Sequence, residues 1–510
     1  MCGIFGYFSA PDSGLTHSQL LAMGQTLSHR GPDGMGIYHQ PELGVGLGNQ
    51  RLAILDVEHG QQPFISDDGS IVVVQNGEIF NYLELARELA AAGYSFRTQC
   101  DTEVILGLYQ LEGISALNKL NGMFAIAIYD RREQALYLVR DRVGEKPLYY
   151  AWDRQLLLFG SEIKALCSVM PRPDLDYLAL EEFLAFNYVP PPRTMFAGIR
   201  HLQPGCYLRV DANGIEEQRW WDLSQITIEK RSESEWVEKF NQTLEDAVRI
   251  RLRSDVPFGA FLSGGVDSSS VVGWMSQLME QPVHTFSIGF AEPEFDESPF
   301  AAQAAQRFDT IHHSEEVDSD LLSLWSRAIY HCDQPHGDVS FMPTYRVAEL
   351  ASRRVKMVLT GDGADELFAG YDKYLNFFTA PERAAETQSR FQASYLDNLS
   401  LFDNPARSRL LSAELKARLP DEDCRQRVIE PWFDKAQEMD RINQALYLDT
   451  QLLLSGNNLV KPDRMGMAVS IENRSPFLDH RMVELAFAMP GELKLRGILP
   501  NISTKKRLLP

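Results

Sequence analysis

The sequence predicts two domains, an α+β half followed by an α/β half built on a parallel sheet. Three observations carry that reading. The chain has 510 residues, more than a single hydrophobic core usually organises. Before residue 187, short β-rich runs cluster around two helical ones. From residue 232, strands alternate with longer helical runs, the pattern of crossover helices over a parallel sheet. The expected boundaries are 1–210 for the first domain, 211–230 for a linker and 231–510 for the second.

The elements follow in order. "IVVVQ" (71–75), "MFAIAIYD" (123–130), "ALYLVRD" (135–141) and "LLLFGSE" (156–162) are β-rich runs bounded by Gly, Asp or Asn. "YLELARELAAAG" sets Leu83, Ala86, Leu89 and Ala90 at helical spacing and stops at Gly93, a suitable C-cap. "DTEVILGLYQLEG" places Val104, Ile105, Leu108 and Leu111 on one face. "NYVPPPRTMF" and "HLQPGCYLRVDANG" are rich in Pro and Gly and end the first pattern. "SESEWVEKFNQTLEDAVRIRLR" reads as a long helix. "VHTFSIGF" and "VKMVLTGD" read as strands among the helical runs that follow it.

Composition narrows the class. Hydrophobic residues make up 44% of the chain, ample for two cores. The formal net charge of -21 argues against nucleic acid as the main partner, though a local field can still hold an anion. The six cysteines (Cys2, Cys100, Cys167, Cys206, Cys332 and Cys424) form no C-x-x-C pair. Neither a zinc site nor a disulfide framework is suggested. The start lacks the basic and apolar regions of a signal peptide, and no apolar run is long enough to span a membrane. A reduced, cytoplasmic compartment is the expectation.

Two kinds of motif carry chemistry. Cys2 directly follows the initiator. With Met1 removed, it holds a thiol and a free α-amine on one residue. "AFLSGGVDSSSVVGWM" is an apolar strand, a Ser-Gly-Gly turn and a helix start. Such glycines let backbone N–H groups approach an anion, and the helix N-terminus favours negative charge. Asp267 would repel a phosphate there unless a cation lay between them, so Mg²⁺ is implied. "MVLTGDGADELFAGY" repeats strand, turn and helix, with Asp362, Asp365 and Glu366 in the turn. Two such loops suit a nucleotide and a metal at the carboxyl ends of one sheet, with Asp267 and Asp365 sharing the metal. Read alone, "NGE" at 76–78 is a hairpin turn, Arg51 a surface charge and Asp101 a helix N-cap.

The chain resembles the glutamine-dependent asparagine synthetase family essentially end to end. The resemblance rests on ordered motifs: "MCGIFGYF", "HRGPDG", "NQRLAILD", "QNGEIFNY", "CDTEVIL", "GMFAIAIYD", "RDRVGEKPLYY", "SEIKAL", "LSGGVDSS", "TGDGADELFAGY" and "DRMGMAVSIENRSPFLDHR". It implies a four-layer αββα glutaminase of the N-terminal-nucleophile type, fused to an ATP pyrophosphatase-type synthetase. Cys2 matches the nucleophile, its α-amine the base, and nearby cations would lower its thiol pKa. Asn76 and the Gly77 N–H match the oxyanion donors. Arg51 matches the partner of the glutamine α-carboxylate, and Glu78 and Asp101 groups near its amino end.

In the second half, the resemblance implies ATP-dependent adenylation of a carboxylate, most simply aspartate, then attack by ammonia carried from the first site. Leu262, Ser263, Gly264, Gly265, Asp267, Ser268 and Ser269 would hold the pyrophosphate, with Mg²⁺ bridging its oxygens. Ser287 and Ile288 fall on the adenine-contacting strand, and Gly361 and Asp362 beside the reacting carboxylate. Two features depart from the family. Asp362 stands where many members carry Glu. The chain ends at "NISTKKRLLP", where Lys506 best fits the family's acyl-adenylate lysine and Lys505 fits almost as well. A truncated or incomplete C-terminus is one reading of that end. The same chemistry on a sugar-linked uronate or a peptide carboxylate is the alternative. A β-lactam-type synthetase fits less well, because it has no use for ammonia. The family also implies a homodimer.

Overall fold

A sheet-on-sheet sandwich occupies the first half, in a computed structural model that describes residues 2–317, 320–383 and 386–495. Its strands are β1 (Gly3–Ser9), β2 (Gly34–Gln40), β3 (Val45–Arg51), β4 (Phe64–Ile65), β5 (Ile71–Ile79) and β6 (Gly122–Asp130). They continue with β7 (Ala135–Arg140), β8 (Tyr149–Trp152), β9 (Leu156–Gly160), β10 (Ile199–His201), β11 (Cys206–Asp211) and β12 (Gly214–Arg219). One sheet has the order β10-β8-β9-β1-β3-β2, the other β12-β11-β7-β6-β5-β4.

Alternation along the strands builds the layers. Ile4, Phe8, Val45 and Leu47 of the first sheet meet Val72, Val74, Ala125 and Leu138 of the second. The opposite face of β1, Phe5 and Tyr7, packs under Leu20 and Met23 of the helix His17–Thr26. On the far side, Ile71 and Val73 pack against Leu85 and Leu89 of the helix Tyr82–Ala91 and Val104, Ile105 and Leu108 of the helix Asp101–Glu112. The result is the expected helix–sheet–sheet–helix arrangement.

Some local expectations change. Leu83 and Leu111 are exposed, at 39% and 55%, so Leu85 replaces Leu83 in the buried stripe. Asn76 and Gly77 lie inside β5, paired with Ala125 and Phe124, rather than in a hairpin turn. Gly77 has φ +143, and a Cβ there would lie 2.0 Å from the Met123 carbonyl oxygen. The glycine serves a close strand contact. Strand β12 falls within 211–230, where a linker was expected, and pairs along β11 from Asp211–Gly214 to Cys206–Arg219.

Among the described residues, the second half holds five strands: β13 (Phe258–Phe261), β14 (His284–Phe290), β15 (Ile311–Val317), β16 (Met357–Leu359) and β17 (Glu472–Arg474). Their order is β15-β14-β13-β16-β17 and every pair is parallel. Trp236, Phe240, Leu244 and Val248 of the helix Glu233–Arg251 anchor the core beneath this sheet. Leu52, Ile54, Phe80 and Met123 of the first half join the same cluster. The two halves therefore share buried apolar surface, which fixes one site relative to the other.

Candidate active site

The first site forms between the two facing sheets, at the start of β1 and beside β5. Cys2 precedes β1 and is 6% exposed. Its backbone N–H donates to Asn76 Oδ1 of β5 at 3.0 Å. That contact fixes the amide so that Nδ2 is its free-facing donor, with only a 3.4 Å bond to Ser161 Oγ. Asn49 crosses the same seam, donating to the Gln75 carbonyl at 2.8 Å. Burial raises the Cys2 thiol pKa above its ordinary value, although the Leu52 N–H, the Asn49 side chain and Arg51 pull it down. The nearby cations pull the thiol down as expected, but desolvation outweighs them and the net shift is upward.

Arg51 is buried at the end of β3, not a surface charge. Its Nη1 and Nη2 hold the carbonyls of Leu55, Asp56 and Val57 at 2.8–3.1 Å. Asp101 does not cap its own helix. It accepts from Ile79 N–H at 2.8 Å and Gln75 Nε2 at 3.1 Å. Burial raises its pKa. Glu78 is buried, and its Oε2 has no hydrogen-bond partner, while Oε1 lies 3.5 Å from Arg474 Nη2. Burial, then Asp101 and Glu472, push its carboxyl well above the usual range. An orphaned carboxylate oxygen in such a wall suits an incoming ammonium group.

The second site lies at the carboxyl ends of β13, β14 and β16. Ser263 Oγ accepts from Gly265 N–H, and Ser268 Oγ accepts from Ser263 N–H, both at 3.2 Å, so hydroxyls hold the turn open. Gly264 has φ +79. Ser269 Oγ, on the first turn of the helix Val266–Leu278, is buried without a partner. Leu262 N–H donates to the Phe286 carbonyl at 2.9 Å, which docks the turn on β14. Ser287 there hydrogen-bonds His312 and Ser314, with Ile288 next in the strand. The second loop closes on the first: a Cβ at Gly361 would lie 2.9 Å from both Asp267 Cβ and Ser268 N. Asp362 accepts from Thr360 Oγ1 at 2.7 Å, and burial raises its pKa. Asp365 lies in the first turn of the next helix, Ala364–Phe368, while Glu366 is held by Tyr371 and Asn458. Lys505 and Lys506 lie outside the described residues.

Among the described residues, no group of three or more His, Cys, Asp or Glu side chains is arranged to hold a metal. Asp267 and Asp365 each lie in the first helical turn after one of the two loops, and this number of carboxylates fits Mg²⁺, which is commonly held by one or two carboxylates plus substrate phosphates.

Residues outside the predicted set connect the sites. Arg30 is fully buried; its Nε donates to the Cys2 carbonyl at 3.0 Å, and its Nη atoms pair with Glu162 and Asp463 at 2.9–3.0 Å. Burial raises the Glu162 carboxyl, but Lys164, Arg464 and His29 overcome this and hold it well below the ordinary value. Arg30, Asp463 and Arg474 all sit in recognisable motifs, yet Arg30 meets Asp463 across 433 positions and Arg474 meets Glu78 of the first half. A cavity of about 20 Å³ lies between the halves, lined by Glu145 and Lys146 on one side and Thr360, Asp362 and Asn473 on the other. It has room for a molecule the size of water.

Burial, with Asp141 close by, pushes the Glu145 carboxyl up to about 8. The unfolded chain loses this proton near 4.5. Between those values the folded state holds a proton that the unfolded state has released, so stability falls as pH rises towards 8. Glu145→Gln should therefore gain in thermal midpoint over the parent at pH 8 and match it near pH 5. An equal effect at both pH values contradicts this account.

A buried cysteine beside an amide donor, two glycine loops on a parallel sheet and a shared core define a two-site enzyme joining a glutamine amidotransferase half to a synthetase half. A glutamine amidotransferase domain model matches residues 1–221, and an asparagine synthase model matches residues 239–509. The chain is 33% identical to an asparagine synthetase (glutamine-hydrolysing) 1 of Bacillus subtilis, over 98% of this chain and 82% of that protein. It is 37% identical to a putative asparagine synthetase (glutamine-hydrolysing) 2 of Methanocaldococcus jannaschii, over 74% and 76%. The chain belongs to the glutamine-hydrolysing asparagine synthetase family.

Proposed function

We propose that this chain makes asparagine from aspartate, glutamine and ATP, releasing glutamate, AMP and pyrophosphate. The observation that carries the reading is Asp362, which lines both the second loop and the cavity between the halves. Cys2 Sγ attacks the glutamine side-chain carbonyl, and the Cys2 α-amine, freed by loss of Met1, takes the thiol proton. Asn76 Nδ2 and the Gly77 N–H stabilise the oxyanion. Arg51 and the orphaned Glu78 oxygen hold the two ends of the glutamine, and Asp101 stiffens the wall behind them. Ammonia departs, and water releases glutamate from the thioester.

At the second site an aspartate carboxylate oxygen attacks the ATP α-phosphorus. Leu262, Ser263, Gly264, Gly265, Ser268 and Ser269 receive the pyrophosphate, and Ser287 and Ile288 the adenine. Mg²⁺, held by Asp267 and Asp365 with the phosphates, would offset leaving-group charge. Ammonia arriving past Glu145 attacks the acyl-adenylate, with Asp362 placed to take its proton and Gly361 giving it room. Lys506 is the proposed cationic partner of the adenylate. The six cysteines are free thiols, consistent with a reducing cytoplasm. No helix among the described residues is long and apolar enough to cross a membrane. The family resemblance carries a homodimer, which light scattering tests.

The test supplies ATP, Mg²⁺ and glutamine and compares acceptors by pyrophosphate release and product mass. Aspartate should give asparagine with one pyrophosphate per amide. No product with aspartate, but turnover with a uronate or peptide acid, overturns the reading.

A further inference from the structure

A second cavity, of about 270 Å³, lies away from both reaction sites and combines cationic and apolar walls. One wall is the segment 190–203 of the first half; the other is the helix Cys424–Lys435 of the second. Arg193, Arg200, Arg427 and Lys435 line it, and Glu182 is the one carboxylate in that lining. Pro190, Pro191, Pro192, Val428, Pro431 and Trp432 supply its apolar surface.

The cations are incompletely used. Arg193 pairs with Asp176 and Glu182 at 3.3 and 3.2 Å. Arg427 directs Nη2 to both Glu181 and Glu182, at 3.2 and 3.6 Å. Its Nε and Nη1 are shielded from solvent and have no acceptor. Arg200 and Lys435, at the rim, have no carboxylate within ion-pair distance among the described residues. Burial lowers the Lys435 pKa and Arg219 lowers it further, while Asp222 opposes them and Glu217 acts on Arg200 from outside; the lining itself holds four cations to one carboxylate. Buried guanidinium donors without acceptors are uncommon, and anions are their strongest partners. This local field opposes the chain's overall charge of -21.

We infer that this cavity binds a compact organic dianion, its charge on the arginines and Lys435 and its apolar frame on Trp432 and the prolines. Both halves contribute walls, so the ligand bridges them. The chemistry of the catalysed reaction uses none of these residues.

The test is calorimetry with phenyl phosphate on the full chain, its nucleotide loops first saturated with Mg²⁺ and a non-hydrolysable ATP analogue. One equivalent should bind. Arg200→Gln and Lys435→Gln, both surface changes, should each weaken it about tenfold. Glu182→Gln, which frees Arg193 and Arg427, should tighten it, an effect that loss of folding cannot mimic. The inference is overturned if the analogue abolishes binding, if the Arg200→Gln/Lys435→Gln double variant keeps the parent affinity, or if phenol binds as tightly as phenyl phosphate.

Discussion

Cys2→Ala should lose glutamine-dependent asparagine formation by at least about a thousandfold and keep ammonia-dependent formation at the parent rate. The thiol is the group that bonds to the glutamine carbonyl, and nothing nearby replaces it. Asn49, Asn76 and Ser161 are acceptors or donors, not nucleophiles of comparable strength. The substitution removes one sulfur from a site whose wall is held by backbone contacts, such as Ile4 N–H to Ser161 Oγ at 3.0 Å. The first sheet should therefore stay folded, and the second site should remain intact. Parallel assays with glutamine and with ammonium chloride read the two effects. Simultaneous loss of both activities contradicts two separable sites.

Gly264→Ala should produce the mirror image. The residue has φ +79, where a side chain costs about 1–2 kcal/mol. A Cβ there would also lie 2.3 Å from the Phe300 carbonyl carbon, part of the helix Ser298–Arg307. Backbone cannot swing aside as a flexible side chain does, so the turn must move. A displacement near 1 Å at the phosphate cradle costs on the order of a hundredfold in rate. Pyrophosphate release should fall by that order with either nitrogen source, while glutamine hydrolysis without ATP persists. Parent-level pyrophosphate release would exclude this loop as the phosphate cradle.

The legible parts of the chain are those where chemistry and local pattern agree. "MFAIAIYD" and "ALYLVRD" become β6 and β7 nearly residue for residue. The two glycine loops lie where strand–turn–helix punctuation put them. Strands β1, β2 and β3 were hidden because glycine weakens a strand signal. Here a glycine makes room for a neighbour: a Cβ at Gly48 would lie 2.2 Å from the Phe5 ring. Asn76–Gly77 reads as a turn because turn statistics know nothing of Met123 across the sheet. Arg51 and Asp101 look like surface and cap residues until burial is known. The longest blind spot is the ion network. Arg30 and Asp463 meet across 433 positions of sequence, and Arg474 reaches Glu78 from β17. Local periodicity carries no information on such pairs; only the fold brings them together.

Transfer of nitrogen inside one molecule is the central claim, and an isotope measures it. The full chain is given aspartate, ATP, Mg²⁺ and glutamine labelled with ¹⁵N in its amide, in a medium containing unlabelled ammonium. Passage between the sites predicts asparagine carrying ¹⁵N in its side-chain amide, beyond the fraction that mixing with the medium would give. Asparagine labelled only at the medium's isotope ratio, or no asparagine at all, would contradict the account.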